Sequence, residues 1–119
     1  MIIHGKDIHM AMTVGASAAV GELCPDGELA KIGELFERPF AEQITVIAKV
    51  MAALVKGYED KTYYETNGEH KRISFPVEEI LSLSQEELLE LEKEMFSAIN
   101  NGAKTKVKTE AKKEEAELP

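Results

Sequence analysis

His4 and His9 come with Asp7 as candidate metal ligands, and Cys24 is the single thiol of the chain. A zinc site needs ligands that converge. On a strand that buries Ile8, His9 faces the other way, so solvated strand histidines are the ordinary reading. Cys24 followed by Pro25 has no CxxC partner and no histidine placed beside it by the sequence, which leaves a small apolar residue as its expected role. Glu86, Glu87, Glu90, Glu92 and Glu94 are numerous, but a helix lacks the loop geometry that gathers oxygens around calcium, and a solvated face is expected. Tyr63 and Tyr64 have the flat faces that stack on bases, yet Glu59, Asp60, Glu65 and Glu69 surround them and repel phosphate. No nucleophile, base and oxyanion donor can be assembled, so no enzyme activity, metal or cofactor is expected.

Size and charge narrow the class further. The chain has 119 residues and a formal net charge of −8, which opposes binding to nucleic acid because a positive field is needed to displace counterions. Residues 1–6 lack a charged segment followed by a long apolar one, so no secretion signal is expected. The longest apolar stretch, residues 44–55, is interrupted by Lys49 and is too short to span a bilayer; no membrane partner is expected.

The elements that must carry these residues are mostly helices. Ile2 and Ile3 should pair with a strand over residues 8–14, Gly5 and Lys6 forming the loop and Ile3 lying opposite Ile8. Residues 16–23 read as a short helix of small side chains, stopped by Cys24-Pro25, with Asp26 as cap of a helix over residues 27–36. Pro39 is placed as the first residue of a long helix whose stripe is Phe40, Ile44, Ile47, Met51, Leu54 and Tyr58, widened by Val46, Val50 and Val55. Asn67-Gly68 between β-prone stretches predicts a second hairpin near 62–74. A short helix from Pro76 follows, then one opened by the Ser84/Glu87 capping box, striped by Leu88, Leu91, Met95 and Ile99, widened by Leu89 and Phe96, and ended by Asn100-Asn101-Gly102. The expected fold is therefore a mostly α, small helical domain over 1–102 with a short N-terminal β-hairpin. A charged C-terminal tail over 103–119 has too few apolar residues to offset chain entropy and is expected to be disordered.

Three segments carry a resemblance: Ile3-His4-Gly5-Lys6-Asp7 with Met12-Thr13-Val14-Gly15-Ala16; a brief helix ending in Leu23-Cys24-Pro25; and the closing run from Ile73-Ser74 through Pro76-Val77-Glu78-Glu79-Ile80-Leu81-Ser82-Leu83-Ser84. In this order, over residues 2–102, the chain resembles the tail assembly chaperones of long-tailed bacteriophages and prophages. The resemblance implies a helical protein of the bacterial host cytoplasm that binds the tape measure protein and keeps it soluble while tail tube protein subunits assemble. Self-association into a homo-oligomer is expected from the width of the long helix's apolar surface and from two hairpins too small to stand alone. Tyr63, Tyr64 and Phe96 are the candidate partner-binding residues, the tyrosines as amphipathic aromatics on a hairpin and Phe96 because it widens the terminal helix's stripe. The competing class is a small transcriptional regulator in which residues 27–36 and the helix after Pro39 form a helix-turn-helix pair. That second helix offers only Gln43 and Lys49 for base contacts.

Overall fold

In the computed structural model the backbone is described for residues 1–111 and side-chain surroundings for residues 1–102; the tail expected over 103–119 lies outside the described residues, apart from the helical backbone running to Ala111. The protein is mostly helical with a two-stranded N-terminal hairpin. Its elements are β1 (Ile2–Ile3), β2 (Lys6–Asp7), α1 (Val14–Leu23), a 3-10 turn (Pro25–Gly27), a 3-10 helix (Leu29–Glu37), α2 (Phe40–Glu65), α3 (Val77–Leu81) and α4 (Gln85–Ala111).

The long apolar helix is the centre of the fold. On α2, Ile47, Ala48, Val50, Met51, Leu54, Val55, Gly57 and Glu59 are buried, an arc of roughly 200° at about 100° per residue. Such an arc is too wide for one neighbour. Ala16 and Val20 of α1, Leu35 of the 3-10 helix, Ile80 of α3, and Leu91, Met95 and Ala98 of α4 share its core with Ile3, Ile8 and Phe75. The two ends of the expected stripe are not core: Phe40 is exposed, and Tyr58 is half-buried, its ring 4.8 Å from that of His9. Pro39 is the N-cap of α2 rather than its first helical residue.

The N-terminal hairpin forms with a different register from the one expected. Ile2 pairs with Asp7 and Ile3 with Lys6, so His4 and Gly5 are the loop, with φ of 52° and 76°. Two consecutive positive φ values are what a two-residue turn of type I′ needs, and its twist matches the strands. Ile8 continues the pairing with Met1, its amide donating to the Met1 carbonyl at 2.8 Å, but residues 8–13 do not form the expected strand. They meet α2, where the Ala11 amide donates to the Leu54 carbonyl at 3.0 Å. Thr13 then caps α1, its hydroxyl accepting from the Ala16 amide at 3.1 Å.

Three further boundaries depart from the sequence reading. The second hairpin near 62–74 is absent: α2 runs on to Glu65, and Asn67-Gly68 ends it. The Gly68 amide donates to the Tyr63 carbonyl at 2.7 Å and the Asn67 amide to that of Tyr64 at 3.2 Å, the bond pair of a Schellman cap, with Asn67 at φ 55°. An Asn-Gly pair suits this cap as well as it suits a hairpin turn, because both require positive φ. Residues 29–37 form a 3-10 helix in place of an α-helix, and Asp26, itself at φ 58°, pairs with Lys31 at 2.7 Å rather than capping. Asn100, Asn101 and Gly102, finally, do not stop α4. Gly102 instead admits Met12, whose Cβ would lie 2.9 Å from any Cβ added there. The start of α4 is as expected: the Glu87 amide donates to Ser84 Oγ and the Ser84 amide to Glu87 Oε1.

Among the described glycines the closest backbone approach is at Gly57, where an added Cβ would meet the Ala11 carbonyl oxygen at 2.7 Å and Thr13 Oγ1 at 2.8 Å. Helix propensity favours alanine over glycine by about 1 kcal/mol. A backbone oxygen cannot swing aside as a side chain can, so overpacking of about 1–3 kcal/mol is the larger effect. Gly57→Ala is therefore expected to lower stability in a denaturant titration. A gain would show that the 11–13 segment is not packed as described.

Candidate partner-binding surface

Residues that could do covalent or metal chemistry are engaged in structure. Cys24 is buried, its thiol donates to the Val20 carbonyl at 3.3 Å, and burial pushes its pKa up, all of which disfavour the reactive thiolate. His4 Nδ1 lies 2.6 Å from Glu79 Oε2, whereas His9 Nε2 lies 2.9 Å from Asp7 Oδ2. The two histidines thus take separate carboxylates. Lys6 adds to the first contact by donating to Glu79 Oε1 and the Ser74 carbonyl, both at 2.6 Å. The Lys6 and His4 hydrogen bonds hold the Glu79 carboxyl below the ordinary glutamate range, clamping the hairpin to α3.

Across α2 from Gly57, an extended strap over residues 69–76 is pinned by Glu59. This carboxylate is 2% exposed. His70 Nε2 lies 2.7 Å from its Oε1, and the Ile73 amide donates to the same oxygen at 2.9 Å. A buried carboxylate is tolerated when donors surround it, and these two come from the strap. Beside it Arg72 donates to Asp60 at 3.1 Å and stands 4.0 Å over the Tyr63 ring centroid. Asp60 is held below the ordinary aspartate range by its Lys56 hydrogen bond first and by Arg72 second.

That geometry separates the two candidate tyrosines. Tyr63 is half-buried under Arg72 with Gly68 against its ring, while Tyr64 packs edge-on to Tyr63 at 5.1 Å and is 72% exposed. Neighbours on a helix point about 100° apart, so one ring faces the strap and the other faces solvent. Phe96 takes a different partner, meeting Phe36 of the 3-10 helix edge-on with centroids 5.0 Å apart. The candidates therefore form two surfaces, Tyr64 at the end of α2 and Phe96 on α4.

The α4 surface includes two residues beyond the three candidates. Leu89, seven positions before Phe96, is exposed on the same side of the helix, and Glu92 lies between them. With Glu86, Glu90 and Lys93 they line a shallow hollow of about 420 Å³. Burial pushes the Glu92 carboxyl up. Its desolvation had no signal in the sequence, because it depends on what packs beside α4. The pair available for DNA reading is differently occupied: Gln43 donates to the Phe36 carbonyl, tying α2 to the 3-10 helix, and Lys49 is exposed. Among the described residues no group of three or more His, Cys, Asp or Glu is arranged to hold a metal, and no helix is long and apolar enough to cross a membrane.

Truncation separates the strap from the exposed ring. Glu59→Ala leaves the Ile73 amide without its acceptor and is expected to cost about 1–3 kcal/mol, with faster amide exchange at Ile73. Tyr64→Ala should stay within about 0.5 kcal/mol of the parent, as surface changes do. The pH dependence has a definite sign: the depressed pKa values of Glu79 and Asp60 mean stability that is present above their unfolded pKa values and lost as pH falls through the folded ones. An acid titration of the melting temperature checks it. A Glu79→Gln variant should show a shallower acid slope.

Compared with known proteins, the chain matches no protein-family model, no curated protein and no solved structure.

Proposed function

We propose that this protein is a tail assembly chaperone of a long-tailed bacteriophage or prophage, acting in the host cytoplasm to bind the tape measure protein and keep it soluble while tail tube subunits assemble. The observation that carries the reading is the apolar strip of Leu89 and Phe96 left on the outside of a helical chain of net charge −8. A long helical partner with exposed apolar seams aggregates unless they are covered. A strip of this kind can cover one while the acidic exterior keeps the complex dissolved. The sequence resemblance over residues 2–102 supports the same reading. Tyr64 offers a second contact, with Tyr63 holding it in place.

Self-association belongs to the proposal on altered grounds. The wide apolar face of α2 is covered by its own chain, so the surface available to another subunit includes the exposed Ile2, Val14 and Phe40. Sedimentation across a wide concentration range checks it, a strictly monomeric species counting against it.

The functional test is co-expression with the tape measure protein encoded beside this gene. A larger soluble fraction of that partner and a co-purifying complex are expected. Tyr64→Ala should weaken the complex while leaving the melting temperature of the free protein nearly unchanged, and Phe96→Ala should weaken it with a modest loss of stability from its Phe36 contact. If the parent protein neither binds nor solubilises the tape measure protein and instead shifts a DNA fragment at physiological salt, the regulator class replaces the chaperone.

A further inference from the structure

We propose that the strip from Leu89 to Phe96 on α4, continued by Phe36, is the docking face for one amphipathic helix that carries a lysine or arginine beside its apolar seam. Leu89 is 58% and Phe96 39% exposed, and seven residues of helix separate them by about 10 Å, two turns of a partner laid alongside. The Phe36 ring, edge-on to Phe96 at 5.0 Å, extends the apolar surface from α4 onto the 3-10 helix. The core stripe of Leu91, Met95 and Ala98 is on another side of α4. Leu88 and Ile99 pack against that core beside it, and Glu92, Phe96 and Leu89 follow in turn round the helix, so the strip is the outward margin of the α4 stripe that the chain's own elements leave uncovered.

Charge selects the occupant. The hollow between Leu89 and Phe96 is lined by Glu86, Glu90, Glu92 and Lys93, three acids to one base, with the lysine 3.2 Å from Glu90. The Glu92 carboxylate makes no hydrogen bond or ion pair among the described residues, although burial raises its pKa. A carboxylate that is partly desolvated without a partner costs free energy, and a cation brought beside it recovers some of that cost. A second copy of this chain docked strip to strip would set Glu86, Glu90 and Glu92 against the same acids. An apolar helix with a basic flank meets both the rings and the charge.

This inference rests on the chaperone reading only in taking the partner to be a helix, and a probe of defined sequence tests it independently. The probe is a synthetic peptide of about 20 residues, long enough for helix to form on contact, with leucines along one face and lysines beside them. A second peptide has glutamates in place of the lysines. The lysine peptide is expected to bind by fluorescence anisotropy and to shift backbone NMR signals of residues 86–96, the glutamate peptide to do neither. Glu92→Gln and Phe96→Ala should each weaken binding about ten-fold, in the range of interface hot spots. Glu42→Gln, which removes the same charge from an exposed site on α2, should leave it unchanged. Leu89→Ala supplies a second apolar truncation should Phe96→Ala disturb the fold.

Equal binding of both peptides, NMR shifts confined to other surfaces, or equal weakening by Glu42→Gln and Glu92→Gln would overturn the proposal. If the tape measure protein is solubilised equally by parent and Glu92→Gln chains, the docking face is wrong and the chaperone reading survives. Peptide binding at 86–96 without any effect on the tape measure protein leaves the docking face standing and removes the chaperone reading.

Discussion

A helix that is apolar around more than half its circumference must be covered on every apolar side, and α2 imposes that requirement on the whole chain. Burial of side chains such as Met51 and Leu54 contributes about 1.5–3 kcal/mol each, more than any surface ion pair. Each remaining element takes one sector of the arc. The 11–16 segment approaches at Gly57, where only a hydrogen fits, and the strap is fixed at Glu59 on the opposite edge. One contact is made close by the absence of a side chain. The other is made specific by a carboxylate whose acceptor capacity the strap must fill.

This arrangement explains what remains outside. Once α1, α3, α4 and the 3-10 helix have covered α2, their own outward faces decide what a partner can meet. α4 uses Leu91 and Met95 inward, and its extra apolar residues, Leu89 and Phe96, are left unburied or nearly so. An acidic chain that leaves such residues on one helix has a surface suited to a protein partner. At the end of α2, Arg72 and Gly68 hold Tyr63, and the helix phase then turns Tyr64 to solvent.

Ionic contacts in this protein orient segments more than they stabilise them. Glu79 joins the hairpin to α3 through Lys6 and His4, and Asp60 joins α2 to the strap through Arg72. Both link separate elements and lie at the surface or just beneath it. Their net worth is small in water, but they choose among the ways in which short irregular segments can lie on the helical core.

The sequence by itself determined the elements whose signals are local and redundant. The central stripe of α2 from Ile47 to Leu54, the capping box of Ser84 and Glu87, and the presence though not the register of an N-terminal hairpin all follow from residue type and spacing. That Leu89 and Phe96 widen the α4 stripe was also legible from helix phase, but that Leu89 stays exposed was not. Tertiary structure decided the cases in which one local signal serves two conformations. Asn67-Gly68 supplies positive φ to a hairpin or to a helix cap, and here it caps α2, from which the chain turns back into the strap held at Glu59. Asn100-Asn101-Gly102 could end a helix, but α4 runs through it, and Gly102 instead leaves room for Met12. Residues 8–13 alternate like a strand, yet the Ala11 amide is taken by the Leu54 carbonyl of α2 instead of a strand partner. The desolvation of Glu92 belongs to the same class. Its cause is what packs beside α4, and burial is a property of neighbours that no spacing within one helix can encode.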